Sequence, residues 1–507
     1  MKQSPFWILI LVILMIFSPM TTSASSWSTF GKDQYRTREA VNQFVKPEIV
    51  PKWDVKNIGW SISQPVVGNG HIYHQAGGYL YKIPLDMPFQ KGLMTTNKFL
   101  NQGVERTKIS NDYHAASHPV YDDQTNSIYV GTGENRIRKI DPDTLKTERT
   151  RTKVGRLVSA PTILGDDLIA YGDGHARLFM QKGAKRRIVN LGSSPMEVTG
   201  TFAVKDGKNP IIYVPVNYKG INHEGFVFAI KVNDKGSGKA PSYELVWSKP
   251  FKTKNGVSTS VVYDDKKKRI YFADKSGNIY AVNAKNGKQV WRNTTYSSYS
   301  SHITLVNNSP ALSGNTLVVP FRYMNGRNKG MIVAFNKNTG KAKWKRTSAG
   351  KKSGSYKGEI ANAPAISKDG NGRSTIYVGN TEGQLRAYDL NNGKPKYITE
   401  KNGKKRKVLN ALKGTGASYY QGAGLATELL ISDEHLVFGA NSSETPNASG
   451  TNGRLYAYST LWCNEDEKWD GESCVKEWTE TDVHKDKTKV KLIPNRDNNY
   501  WGSGSSW

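Results

Sequence analysis

Short runs in which apolar and polar residues alternate, each bounded by Gly, Asn or Pro, occupy most of the chain. A period of two over four to eight residues predicts half-buried β-strands rather than helices. The clearest stretch reads Arg269-Ile-Tyr-Phe-Ala-Asp-Lys-Ser-Gly-Asn-Ile-Tyr-Ala-Val-Asn-Ala-Lys-Asn-Gly-Lys-Gln-Val-Trp291. It predicts a strand ending at Asp274, a turn at Gly277, a second strand through Tyr280 and a third reaching Trp291. Asn286-Gly287 is a strong hairpin signal, because a two-residue type I′ turn needs positive φ at both central residues. The stretch is an antiparallel meander.

The meander recurs. Ala334 to Trp344 repeats the ten-residue step from Ala281 to Trp291, with Gly340-Lys341 standing where Gly287-Lys288 stood. A further copy spans Thr375 to Tyr397, with Gly393-Lys394 in place and Tyr397 where the others have Trp. A degenerate copy runs from Ser127 to Asp141. Ahead of each unit stands a strand that opens on small residues or Pro. These openings are Ser63-Gln-Pro65, Ser117-His-Pro119, Ser159-Ala-Pro161, Val198-Thr-Gly200, Ser258-Thr-Ser260, Asn308-Ser-Pro310, Asn362-Ala-Pro364 and Ala423-Gly424. Their spacing, from 39 to about 60 residues, suits a four-stranded propeller blade. Small residues fit the innermost strands, where the blades converge.

The eighth unit lacks a final Gly-Lys-x-x-Trp strand. Val50-Pro-Lys-Trp53-Asp-Val, upstream of the first unit, resembles that missing strand. It is expected to pair with the eighth blade from outside and so close the ring, leaving no open terminal blade. The predicted fold is all-β: an eight-bladed propeller of four-stranded antiparallel blades over residues 25–460, with a short C-terminal extension at 461–507.

The Ala-x-Asn/Asp-x-x-x-Gly-Lys-x-x-Trp strand pair and the opening Trp27-Ser-Thr-Phe-Gly-Lys-Asp33 resemble the pyrrolo-quinoline-quinone-like (PQQ-like) repeat propellers. That family holds cofactor-dependent dehydrogenases and non-catalytic scaffolds, so the fold alone does not choose a function. Its catalytic members, the resemblance implies, carry a quinone stacked on a Trp beside a disulfide of adjacent cysteines, with calcium held by Glu, Asn and Asp, and a catalytic Asp. This chain has two cysteines, Cys463 and Cys474, eleven positions apart and outside the repeats. No carboxylate cluster stands near the inner strands, where His118, Glu197 and Glu359 read as isolated polar residues. The expectation is the non-catalytic branch, with no catalytic residue, metal site or cofactor. A quinoprotein-like oxidoreductase with a degenerate site is the alternative.

Composition changes the picture in two ways. The formal charge of +29, from 72 Lys and Arg against 43 Asp and Glu, implies attraction to polyanions. The first residues, with Lys2, an unbroken apolar run from Phe6 to Phe17 and small residues at Thr22-Ser23-Ala24, read as an export signal over residues 1–24. The apolar run is short for a membrane span, although an uncleaved anchor is the other reading. The protein is therefore expected to be secreted or wall-associated. In that compartment Cys463 and Cys474 are expected to pair as a disulfide.

The repeated Trp53, Trp291 and Trp344, with Trp247, read as blade-docking groups on outer strands. The basic runs read as polyanion-binding rim positions: Lys182, Lys185, Arg186 and Arg187 in one unit, and Lys404, Lys405, Arg406 and Lys407 in another. Lys341 to Arg346 is a similar run, and Lys266 to Lys268 falls in a turn. His114, His118, His223 and His302 form no metal-binding pattern. The acidic segment Asn464 to Glu472 lies within the Cys loop and lacks the signature of a calcium loop. The extension carries ten acidic against seven basic residues and five of the twelve Trp, including Trp501 and Trp507. Its role is either packing on the propeller or engaging a partner. A protein partner or an anionic cell-surface polymer is expected, with no sequence-specific nucleic-acid recognition.

Overall fold

The structure is a computed structural model that describes residues between 28 and 476. It omits 42–48, 59–62, 88–102, 112–116, 151–158, 219–223, 297–308, 324–328, 348–361, 400–404, 411–426, 442–452, 461–466, 470–473 and scattered positions of one or two residues. The export signal, Cys463, most of the acidic segment and the extension beyond 476 lie outside the described residues. Cys474 falls in the strand Cys474–Lys476, which pairs with Glu467–Trp469. Among the described residues, no helix is long and apolar enough to cross a membrane.

Eight antiparallel sheets follow one another along the chain, each with its first strand innermost. Blade 1 starts at Val66–Gly68, blade 2 at Val120–Asp122, blade 3 at Thr162–Gly165 and blade 4 at Met196–Val198. Blades 5, 6, 7 and 8 start at Val262–Asp264, Ala311–Ser313, Ala365–Lys368 and Leu430–Ser432. The ring closes as expected. Ile49–Lys56 forms the outer strand of blade 8, pairing antiparallel with Gly453–Thr460. Two tails of one chain thus build one blade, and unzipping the ring requires breaking a full strand pair.

The eighth inner strand corrects the sequence reading. It is preceded by Thr427-Glu428-Leu429, not by Ala423-Gly424, and the reason lies in a hydrogen bond that recurs from blade to blade. In several blades the first residue of the opening motif bonds a main-chain N–H of the second strand. Ser117 Oγ accepts from Gly131 N at 3.0 Å, Asn362 Oδ1 from Gly379 N at 2.9 Å and Thr427 Oγ1 from Gly439 N at 2.6 Å. Thr259, rather than Ser258, does the same for Ala273 at 3.2 Å. In blade 4 the inner strand is split into Met196–Val198 and Ala203–Lys205, both paired with Ile211–Tyr218.

The repeat's turn is also longer than a two-residue hairpin. Asn283 N donates to Lys288 O at 2.8 Å and Gly287 N to Asn283 O at 2.9 Å, so four residues separate the closing pair. Gly287 has φ +71°, whereas Asn286 stays out of the left-handed region. Asn283 Oδ1 accepts from Lys285 N at 2.9 Å, which explains the Asn/Asp at this place in the repeat. Asn336 with Gly340 and Asp389 with Gly393 repeat these bonds.

The core lies in the seams between blades. One seam packs Tyr271, Ala281 and Ile279 of blade 5 against Leu317, Val333 and Phe335 of blade 6. Each strand in the middle of a blade is covered on both faces, so these strands read as near-continuous buried runs.

Candidate functional site

Two regions carry the side chains that sequence reading singles out: the rim and the axis. At the rim, Trp291 stands opposite Ala281 and Trp344 opposite Ala334, each beside a bulge in the outer strand. The same Ala–Trp pair recurs at the closure, where Trp53 of the N-terminal strand stands opposite Ala457. The indoles of Trp247, Trp291 and Trp344 reach over the turn of the following blade. Trp247 Nε1 donates to Ala284 O at 3.1 Å, Trp291 Nε1 to Lys337 O at 2.9 Å and Trp344 Nε1 to Leu390 O at 2.9 Å. Below each ring lies the turn glycine. A Cβ at Gly340 would come within 2.6 Å of the Trp291 ring. The invariant spacing of Gly and Trp within the repeat therefore links different blades: a glycine receives the tryptophan of the blade before it. Trp53 is buried, and its Nε1 has no hydrogen-bond partner among the described residues. Tyr397 lies outside those residues, and its neighbour Lys396 stands opposite Ala387.

The basic runs sit on outer strands. Lys182 ends the third strand of blade 3, and Lys185–Asn190 is its outermost strand. Lys182 is ion-paired with Asp234 of blade 4, Arg186 lies over the Phe179 ring, and Arg187 Nε donates to Pro241 O at 3.4 Å. Lys405–Arg406 pairs with Ile398–Thr399 in a two-stranded hairpin outside the four-stranded blade, and Lys404 and Lys407 lie outside the described residues.

The axis is built differently, and sequence reading missed it. Residues 28–41 run across the central channel instead of around it. Ser28 O accepts from Tyr121 N of blade 2 at 2.8 Å, and Thr37 O accepts from Leu312 N of blade 6 at 2.8 Å. Arg36 Nε donates to Phe202 O of blade 4 at 3.0 Å, while Arg38, two residues on, is ion-paired with Glu428 of blade 8. In a ring of eight, blades 2 and 6 are opposite each other, as are blades 4 and 8, so the segment crosses the axis. Glu39–Val41 then adds to blade 7 as an innermost strand, parallel to Ala365–Lys368. The main-chain groups it satisfies belong to equivalent inner-strand residues, Tyr121, Leu312 and Ile366, whose N–H groups face the channel. Buried N–H groups of this kind need a partner.

The crossing is held against local preference. Lys32, Arg36 and Arg38 have φ of 77°, 61° and 60°, in the left-handed region that costs a non-glycine residue about 1–2 kcal/mol. Asp33 fixes the turn by accepting from Thr37 N at 3.0 Å and from the Thr37 hydroxyl. Arg36 also donates to Thr29 Oγ1 at 2.8 Å and to Thr162 Oγ1 at 3.3 Å. Burial lowers the Arg36 guanidinium to about 10, with Asp33 opposing the shift. Burial pushes the Glu428 carboxyl up to about 7, against the pull of Arg38.

His118 and Glu197 are not isolated. His118 Nδ1 accepts from Gln64 N at 2.7 Å, which leaves its proton on Nε2 in the neutral ring. Burial takes His118 down to about 3, and the positive field of Arg38 adds to this; burial alone takes His74 to about 3. Glu197 Oε1 accepts from Asn217 Nδ2 at 3.4 Å, and its charge partly offsets the burial that lowers the Lys275 pKa. His114, His223, His302 and Glu359 lie outside the described residues. Among the described residues, no group of three or more His, Cys, Asp and Glu side chains is placed to hold a metal ion.

Glu428 was within reach of the sequence. It occupies the second place of the opening motif, where other blades have Gln64, His118, Ala160, Ser309 and Ala363. Aligning the eighth unit on Thr427 would have exposed a carboxylate at a channel-facing position.

An eight-bladed ring with a basic N-terminal segment through its axis defines the class: a closed all-β propeller. A family model described as outer membrane protein assembly factor BamB matches residues 236–460. Among solved structures, europium-containing methanol dehydrogenase is similar at a TM-score of 0.59 and 11% identity, covering 86% of this chain and 98% of its own. Quinohemoprotein alcohol dehydrogenase from Comamonas testosteroni follows at 0.58 and 11%, covering 86% and 80%. The computationally designed Ika8 protein is similar at 0.50 and 11%, covering 81% and 99%. At such identities the likeness concerns the fold alone. No curated protein matches by sequence.

Proposed function

We propose that this chain is a non-catalytic binding or scaffolding propeller, working in or outside the cell envelope and retained on anionic polymers by its basic rim. The observation that carries this reading is the crossing of the axis by residues 28–41. Arg36 and Arg38 project from neighbouring positions to opposite blades, so the chain itself takes up the space that a planar axial cofactor needs. The side chains gathered there do not suit the quinone and calcium of catalytic propellers. Glu428 is engaged by Arg38, and His118 Nδ1 is engaged by the Gln64 N–H.

The test is reconstitution of the mature protein with pyrrolo-quinoline quinone and calcium. The expected result is no stoichiometric quinone absorbance in the protein fraction and no dye reduction with alcohols. Stoichiometric uptake with dye reduction would replace this reading with an oxidoreductase. Retention on purified anionic wall polymer, titrated with salt, tests the rim: binding should fall steeply as salt rises.

A further inference from the structure

The seam between blades 3 and 4 has no indole over it, like the seams after blades 1 and 2 and unlike those after blades 4, 5 and 6. At the seams that follow blades 4, 5 and 6, a tryptophan of one blade covers the turn of the next. The outer strand of blade 3, Lys185–Asn190, contains no tryptophan. Its residues alternate between the two faces: Val189 is buried with Ile230 and Val232 of blade 4, so Lys185 and Arg187 share that side. Both are exposed.

Blade 4 presents apolar surface to the same seam. Its outer strand Ser242–Leu245 pairs Tyr243 with Val232 and Leu245 with Ile230. Directly paired residues share a face, so Tyr243 and Leu245 point toward blade 3. They are 39% and 51% exposed, while their partners are fully buried. Side by side on one face, they leave a contiguous apolar surface open above a packed core, the kind of surface that interaction sites use. The nearby carboxylate Asp234 is taken up by Lys182, which leaves the cleft positive at Lys185 and Arg187. Ser242–Leu245 is the last strand of its blade's path, with one open main-chain edge.

We infer that this rim cleft docks an extended acidic segment of a protein partner. Its apolar side chains cover Tyr243 and Leu245, its carboxylates meet Lys185 and Arg187, and its backbone adds to the open edge of Ser242–Leu245. Charge selects the occupant: a basic segment is repelled, and a purely apolar one leaves two cations unmatched. The inference rests on the scaffold reading and deepens it by naming the partner's chemistry.

The probe is a short fluorescent peptide alternating aspartate with leucine or phenylalanine, titrated against the mature protein by anisotropy. Leu245→Glu and Arg187→Glu are each expected to weaken binding about tenfold or more. Lys108→Glu, on the outer strand of blade 1, should stay within about twofold. All three positions are exposed, so melting temperatures should match the parent, and a matching melt shows that a lost affinity is local. No binding to the parent protein, or equal binding by parent and Leu245→Glu, overturns the inference. So does equal competition by polyglutamate or duplex DNA, which would make the cleft part of a general polyanion surface. Concentration-dependent dimers abolished by Leu245→Glu would assign the cleft to a second copy and overturn it as well. Quinone uptake is read separately, so failure of the peptide with quinone still refused removes only this inference.

Discussion

The rim and the axis of this ring are both held by buried polar contacts between blades, but they differ in how those contacts are encoded. At the rim one arrangement recurs at three successive seams: Trp247, Trp291 and Trp344 each bond a main-chain carbonyl of the next blade above that blade's turn glycine. At the axis, nothing repeats. Arg36 and Arg38 come from one short segment, and their partners Phe202 and Glu428 lie far away in sequence on opposite blades. A repeated contact tolerates loss, because its neighbours persist. A single crossing does not, since it satisfies inner-strand groups in several blades at once. The rim is redundant and the axis is not.

The sharpest way to break this contrast is at Glu428. Glu428→Gln leaves the Arg38 cation buried without its counter-charge, and about 3–5 kcal/mol of stability should be lost in denaturant unfolding. Arg38→Met with Glu428→Leu removes both charges and should recover most of that loss. If the double variant is no more stable than the single one, the pair is not the element that holds the crossing.

Trp344→Ala should cost a similar or slightly smaller amount, about 3–5 kcal/mol, by opening a cavity and orphaning the Leu390 carbonyl. The difference lies in reach: hydrogen exchange should rise in blades 6 and 7 for Trp344→Ala and around the whole inner ring for Glu428→Gln. Identical exchange patterns would erase the distinction between redundant and single contacts.

Acid separates the regions next. His74 is fully buried, with a folded pKa of about 3 against an ordinary value of 6.5. Its contribution is whole above pH 6.5 and is lost as pH falls toward 3, about 2 kcal/mol by pH 5. Stability measured from pH 7 to 5 should therefore fall less in His74→Gln than in the parent, while Trp344→Ala keeps the parent's slope. An unchanged slope in His74→Gln would place the acid response elsewhere.

The smallest effect tests the glycine. Gly340 and Gly314 both have positive φ, +71° and +53°, but only Gly340 lies under an indole. Gly314→Ala should cost about 1–2 kcal/mol for the backbone alone. Gly340→Ala should cost about 1 kcal/mol more, because Trp291 must shift. Equal losses would mean that the glycine serves the turn and not the docking.

What could be read from the amino-acid sequence is what repeats. Period-two strands, the Gly–Trp spacing and the strand at Trp53 were enough for the blade count and the ring closure, because each unit states the same local instructions and the common pattern stands out against variable loops. The turn type at Asn286-Gly287 was misread, since a short hairpin signal does not reveal that Asn283 closes the turn four residues earlier. The eighth inner strand was misplaced because its marker is a capping hydroxyl at Thr427, not a proline. The axis was illegible for a deeper reason. Glu428 could be placed on the channel once its motif was set on Thr427, but no linear reading gives it a partner, and only closure of the ring brings Arg38 to it out of water. The sequence by itself determined the blades and the order in which they close, because those rest on contacts between neighbours in the chain. The tertiary structure alone decided what fills the middle, because that depends on groups that meet only after the circle is complete.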